Sequence, residues 1–307
     1  KKVNTRFFFV VDRLDLLRQA KTEFENRGFS VTPVDSKTEF AYELKKPLDD
    51  KNDGIGTICV VNVQKLMEES KMPVVENDRN GIYIAMTGTP LLSKKERSNL
   101  KFGDYIHKYF YDKSIADGYT LRIKKEQIDT VAKAEIKANL EIENKDLNSA
   151  DVYESDNYID NVSKYIENDF RNFQYLQNND PSIGGMIVCR SNLQAKKICE
   201  WFDKNSKLTT GLVMSDSDNP AQADINRQNQ INFRENGTPD MLVVHYMLTT
   251  GYDVKRLKKM YLLRGPKAQS LLQTISRVNR PYKSPNDKIY QYGYIVDFVD
   301  IEKEYNE

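Results

Sequence analysis

The feature that most constrains this 307-residue chain is a repeated alternation: a short, unbroken apolar run, a turn, then a stretch with helical spacing. Runs of this kind stand at residues 7–11 (FFFVV), 57–61 (TICVV), 82–86 (IYIAM), 186–189, 211–214, 241–244, 259–263 and 292–298. A strand that is apolar at every position has to be covered on both faces, which a parallel sheet flanked by helices provides. Helical spacing follows at 13–27, where Leu14, Leu17 and Ala20 share a face, at 39–46, and from about residue 64. It returns at 157–176, where Ile159, Val162, Ile166, Phe170 and Phe173 share a face. A weaker strand, 29–32 (FSVT), is stopped by Pro33. Strands alternating with helices predict an α/β fold with mainly parallel sheets. The length suits about two domains.

Composition then removes several function classes. Lys plus Arg is 46 against 45 for Asp plus Glu, so any nucleic-acid signal must be local rather than global. Only His107 and His245 exist, which leaves little for a multi-histidine metal site or a Ser-His-Asp mechanism. Cys59, Cys189 and Cys199 form no C-x-x-C pair and read as free thiols of a reducing cytoplasm. No apolar run approaches the ~18 residues of a membrane span.

Charge is unevenly distributed. Residues 126–180 carry 13 acidic and 5 basic side chains and read as a solvated acidic connector ending in an amphipathic helix. Residues 255–283 carry nine basic side chains and no acidic one. Such a block is commonly a solvated face, but this one brackets residues suited to phosphate.

Three motifs carry chemistry. Thr87-Gly88-Thr89-Pro90 follows the run IYIAM, so two hydroxyls and free backbone N–H groups fall at a strand's C-terminal end, where α/β sheets bind ligands. Thr249-Thr250-Gly251-Tyr252-Asp253 follows another strand; Gly251 permits a close approach, and Asp253 is an acceptor for a ribose hydroxyl. Gln273, Arg277 and Arg280 are four and three residues apart and would share one helix face. Two guanidiniums so placed can neutralise a transferring phosphoryl group, as an arginine finger does.

In this order, these motifs resemble superfamily 2 helicases and translocases, whose two RecA-like lobes hold ATP in the cleft between them. The wording is closest to the R (restriction, motor) subunit of type I restriction–modification enzymes. The similar segments are 8–19 (FFVVDRLDLLRQ), 60–66 (VVNVQKL), 87–91 (TGTPL), 102–123 (FGDYIHKYFYDKSIADGYTLRI), 186–191 (MIVCRS), 242–253 (LVVHYMLTTGYD), 271–282 (LLQTISRVNRPY) and 292–298 (YGYIVDF). They span most of the chain apart from the acidic segment.

The resemblance implies a RecA-like lobe over 1–112, incomplete, and a second over 113–307 containing the acidic connector at about 124–180. It implies that Arg277 and Arg280 face the ATP γ-phosphate, with Gln273 positioning them and Gly251 and Asp253 closing on the nucleotide. Asp12, Arg13, Gln64, Arg190 and Ser191 would touch the DNA backbone. Thr249 and Thr250 would pass nucleotide state to the DNA track, and Thr87, Gly88 and Thr89 would couple the two sites. The implied cofactors are ATP and Mg²⁺, with no metal ligand assigned in this chain. The implied partners are double-stranded DNA and the methylation and specificity subunits, in the cytoplasm.

The sequence also departs from the family. It has no G-x-x-x-x-G-K-[S/T] phosphate loop. The Asp-Glu-x-His strand expected between Lys65 and Thr87 is missing, and Glu76 and Asp78 there read as loop carboxylates. Glu43-Leu44-Lys45 mimics a nuclease tripeptide without a partner Asp beside it. These residues alone are therefore expected to hydrolyse ATP no faster than background. Two other readings stay open: another superfamily 2 RNA or DNA helicase or remodeller, and a non-catalytic nucleic-acid-binding fragment.

Overall fold

The computed structural model describes residues 6–11, 14–34, 36–45, 57–62, 104–128, 151–215, 220–247, 252–265, 268–299 and 301. The chain divides into two compact units, Lys1–Ile84 and Ala85–Glu307. Both are parallel α/β structures, as the unbroken apolar runs require.

The first unit runs β1 (Arg6–Val11), α1 (Leu14–Asn26), β2 (Val31–Val34), α2 (Lys37–Lys45) and β3 (Thr57–Asn62). The strands order β1-β3-β2, all parallel. The central β3 is buried from Ile58 to Val61 and shows why it is apolar throughout. Ile58 and Val60 pack with Leu17, Ala20 and Phe24 of α1, while Cys59 and Val61 pack with Phe40 of α2. Successive residues of a strand point to opposite faces, and both faces here carry a helix. The 82–86 run lies outside the described residues.

The second unit contains α3 (Tyr111–Ala116), β4 (Arg122–Gln127), α4 (Asp156–Leu176), β5 (Gly184–Val188), α5 (Asn192–Asn205) and β6 (Thr210–Val213). There follow α6 (Pro220–Ile231), β7 (Met241–Val244), β8 (Leu257–Leu262), α7 (Ala268–Ile275), the two-residue β9 (Tyr282–Lys283) and β10 (Ile289–Tyr290), and β11 (Tyr292–Asp297). Six strands order β4-β11-β8-β5-β7-β6, all parallel. Ile159, Ile166 and Phe170 of α4, with Ile198 and Phe202 of α5, cover one face against Ile187, Val243 and Tyr261. On the other, Leu271 and Ile275 of α7 cover Val188, Leu262 and Ile295. Serines start two of the helices. The Ser155 hydroxyl accepts from the Tyr158 N–H at 3.2 Å, and Ser191 from the Gln194 N–H at 3.0 Å. Among the described residues no helix is long and apolar enough to cross a membrane.

The acidic segment departs from the expected connector at its start and bears out the expected amphipathic helix at its end. Residues 122–127 form an edge strand paired with β11, and α4 is a core helix. The reason is a counter-charge: Lys259, on β8, is 2.7 Å from Glu126 and 2.7 Å from Asp169. Residues 129–150 lie outside the described residues. Within the basic block, Arg256, Lys258 and Lys259 are all buried.

Candidate functional site

The candidate residues of the second unit are delivered by two loops. One returns the chain to the start of β8 through Tyr252 and Asp253. The other leaves α7 through Arg277 and Arg280. Tyr252 is the anchor of the first. Its ring packs in the core and its hydroxyl donates to the Gln230 carbonyl at 3.0 Å. Its own carbonyl accepts from the Arg277 guanidinium at 3.0 Å. The next residue, Asp253, stands exposed, with Oδ1 2.9 Å from Arg280 Nε. That N–H is not aligned on the carboxylate and makes no hydrogen bond. The contact is therefore Coulombic.

One expectation about this corner is corrected. Gln273, Arg277 and Arg280 do not share one helix face, because α7 ends at Ile275. The Arg277 N–H bonds the Thr274 carbonyl and the Val278 N–H the Ile275 carbonyl, a tightening typical of a last turn. Ser276 Oγ donates to the Gln273 carbonyl at 2.8 Å. Pro281 then disfavours helical backbone at Arg280. The two arginines reach Tyr252 and Asp253 by a turn rather than by helical repeat. The Gln273 main-chain carbonyl fixes Arg277, accepting from its Nε at 3.1 Å.

The turn is seated by a glycine. A Cβ at Gly293, on β11, would lie 2.4 Å from the Val278 carbonyl oxygen. Only glycine lets residues 278–280 lie this close to β11. Beneath them sits Lys258, 0 % exposed. Its Nζ donates to the Arg280 carbonyl at 2.7 Å and to the Leu257 carbonyl at 3.2 Å. Burial, with the Arg280 charge adding to it and Asp253 opposing, pulls its pKa from 10.5 down to about 7. Sequence reasoning missed Lys258. A lysine inside an apolar strand, LKKMYL, was the signal available.

A second cluster lies past the C-terminal ends of β5, β7 and β8. Arg190 is exposed, its guanidinium 3.7 Å from the Tyr153 ring centroid. Ser191 caps α5 and also donates to Glu154, so its hydroxyl is committed to the fold. His245 Nδ1 is 3.3 Å from Asn192 Oδ1, and Arg264 stacks on Tyr246 at 3.9 Å. Burial, reinforced by the Arg264 charge, lowers the His245 pKa. Asp12, Arg13, Gln64, Thr87, Gly88, Thr89, Thr249, Thr250 and Gly251 lie outside the described residues.

A family model described as the SWI2/SNF2 ATPase matches residues 79–157. The chain is 29% identical over 288 residues to the type I restriction enzyme MjaVIIP endonuclease subunit of Methanocaldococcus jannaschii, covering 73% of this chain and 26% of that protein. It is 23% identical over 375 residues to the type I restriction enzyme SauCOLORF180P endonuclease subunit of Staphylococcus aureus, covering 97% of this chain and 39% of that protein. This chain resembles the endonuclease subunits of type I restriction enzymes. It spans 26% to 39% of the length of these two relatives. Among solved structures, the ATP-dependent Type ISP restriction-modification enzyme LlaBIII bound to DNA aligns with a TM-score of 0.54 and 13% identity, over 96% of this chain and 24% of that one. That likeness supports the RecA-like α/β fold.

Proposed function

We propose that this chain is the motor region of a type I restriction endonuclease R subunit. In this reading, ATP drives translocation on double-stranded DNA, coupled to cleavage by a nuclease domain outside these residues. The observation that carries it is the convergence of Asp253, Arg277 and Arg280 from separate loops. Nothing about core packing calls for one guanidinium on the Tyr252 carbonyl and a second against the exposed carboxylate of the next residue. The donor set fits the anionic end of a nucleoside triphosphate, where charge spreads over the γ-phosphoryl oxygens in the transition state. Arg277, held by two carbonyls, is the fixed donor, and Arg280 is the finger that re-aims. Gln273 positions Arg277 through its carbonyl, and Asp253 holds Arg280 until the phosphate competes for it. Gly251 closes on the nucleotide from the same loop.

Mg²⁺ is assigned no residue here. Among the described residues no group of three His, Cys, Asp or Glu could hold a metal ion.

Arg190 and the cap at Ser191, with Thr249, Thr250, Asp12, Arg13 and Gln64, are the proposed DNA-backbone contacts. A motor that moves along any sequence needs phosphate contacts rather than base readout. Thr87, Gly88 and Thr89 couple the two sites. The methylation and specificity subunits are the proposed partners, and the cytoplasm the proposed location. These 307 residues, lacking a phosphate loop, should not turn over ATP by themselves.

The test is Arg280→Ala in the full-length subunit. DNA-stimulated ATPase should fall by about 10³-fold, while duplex DNA binding stays near wild type. Undiminished turnover would remove the finger role. A preference for single-stranded RNA over duplex DNA as the ATPase stimulator would favour another superfamily 2 enzyme, as the SWI2/SNF2 match alone allows.

A further inference from the structure

We propose that Lys258 is a positioning residue for Arg280, its buried amine holding the Arg280 backbone and its charge biasing where the guanidinium rests. The inference rests on the finger role given above to Arg280. Lys258 lies under the turn that carries Arg280 and grips that residue's own carbonyl at 2.7 Å. Its second acceptor, the Leu257 carbonyl, belongs to the same strand, so among the described residues Arg280 is the one residue outside β8 that the amine bonds. The groups facing it are few. The Arg280 and Asp253 charges act on it from the two loops. The Tyr282 ring of β9 lies 5.7 Å from Nζ.

No carboxylate makes an ion pair with Lys258 among the contacts of the described residues, an unusual state for a fully buried lysine. A purely structural role would be served as well by an apolar side chain of similar volume. What an apolar residue cannot do is hold the Arg280 carbonyl and compete with its guanidinium for Asp253. A charged Lys258 draws on Asp253 and repels Arg280, easing the guanidinium off the carboxylate. A neutral Lys258 leaves Asp253 to Arg280 alone and parks the finger. An ionisation near 7 places both states within reach of ordinary cytoplasmic pH.

The experiment uses the full-length subunit in its restriction complex and reads DNA-stimulated ATPase between about pH 6 and 9. In wild type, kcat should decline as pH rises through about 7. Lys258→Met should lower kcat by roughly 10- to 100-fold, as expected for a misplaced catalytic group. It should leave the KM for ATP unchanged and abolish the limb near pH 7. Lys258→Gln, which keeps a donor but not a charge, should recover part of kcat without the limb. A folded Lys258→Met enzyme with wild-type kcat and an unchanged pH profile overturns the proposal. If neither variant folds, a wild-type kcat that is flat through pH 7 overturns it. Arg280→Ala, run in parallel, separates the failures. Full activity there sinks the finger itself, whereas loss there with a normal Lys258→Met enzyme sinks only the role of Lys258.

Discussion

Lys258 and Lys259 are consecutive on β8, and both are buried, yet the two faces of the sheet treat them differently. Lys259 faces the α4 side, where Glu126 and Asp169 each approach to 2.7 Å, and the Tyr261 hydroxyl donates to the same Asp169 at 2.7 Å. Lys258 lies under the turn that follows α7, where its amine bonds carbonyls and no carboxylate among the described residues. A buried charge with two counter-charges is a latch: it ties the edge strand β4 and the helix α4 to the central sheet. A buried amine with neutral acceptors is poised instead, because its charged form is not compensated by a partner in contact. One residue's step along a strand separates a structural ion cluster from a group that can titrate under Arg280.

The largest stability effect should come from breaking the latch. Lys259→Met strands Glu126 and Asp169 without their cation. Removing one partner of a buried pair costs about 3–5 kcal/mol. The partial exposure of both carboxylates puts the expected loss near the lower end, about 3 kcal/mol. Lys258→Met strands no charge and removes the cost of burying the amine, so it should not lower the urea midpoint at pH 7. Equal destabilisation by the two variants would erase the distinction between the two faces.

A smaller effect should come from the seat of the turn. Gly293→Ala drives a methyl group into the Val278 carbonyl, 2.4 Å from its position. The turn must move outward, at a cost of about 1–3 kcal/mol, and it carries the Arg280 carbonyl off Lys258 without touching Glu126 or Asp169. The expected signature is a modest fall in the denaturation midpoint with a fall in ATPase beyond what that midpoint explains. A midpoint loss with normal ATPase would show that the turn's exact height over β11 does not matter to the finger.

The same contrast shows what could be read in the sequence and what could not. The central strands were legible because β3, β5 and β7 have no polar side chain over Ile58–Val61, Gly184–Val188 and Met241–Val244, and only a doubly covered parallel strand tolerates that. Strand β4, RIKKEQ, was not legible. It is an edge strand with one face to solvent, and its charges look like those of a connector. The end of α7 was missed because apolar Val278 prolongs the helical pattern past Ile275, whereas Pro281 and the close seat on Gly293 decide otherwise. The arginine corner was legible as a set of residues from the order of the motifs. Its geometry was not, since Tyr252 and Asp253 come from a loop about 25 residues upstream. The basic block was the least legible part. Charge counting treats every lysine alike, and only the structure reveals that Lys258 and Lys259 are buried among different partners.

The finest test of the comparison is the dependence of stability on pH. The folded-state pKa of Lys258 is depressed, from 10.5 to about 7. Below about 7 both folded and unfolded chains hold the proton, so the cost of burying the charge is fully present and flat. Between about 7 and 10.5 the folded protein has released the proton while the unfolded chain still binds it, and stability rises with pH. The slope from this one group approaches about 1.4 kcal/mol per pH unit in the middle of that window. Urea titrations at pH 7, 8 and 9 should show the rise in wild type and its loss in Lys258→Met. The Lys259→Met protein should be lower at every pH yet keep the slope, because the titrating amine across the sheet is untouched. A slope that vanished with Lys259 instead would move the titratable group to the other face, and with it the distinction between latch and poised amine.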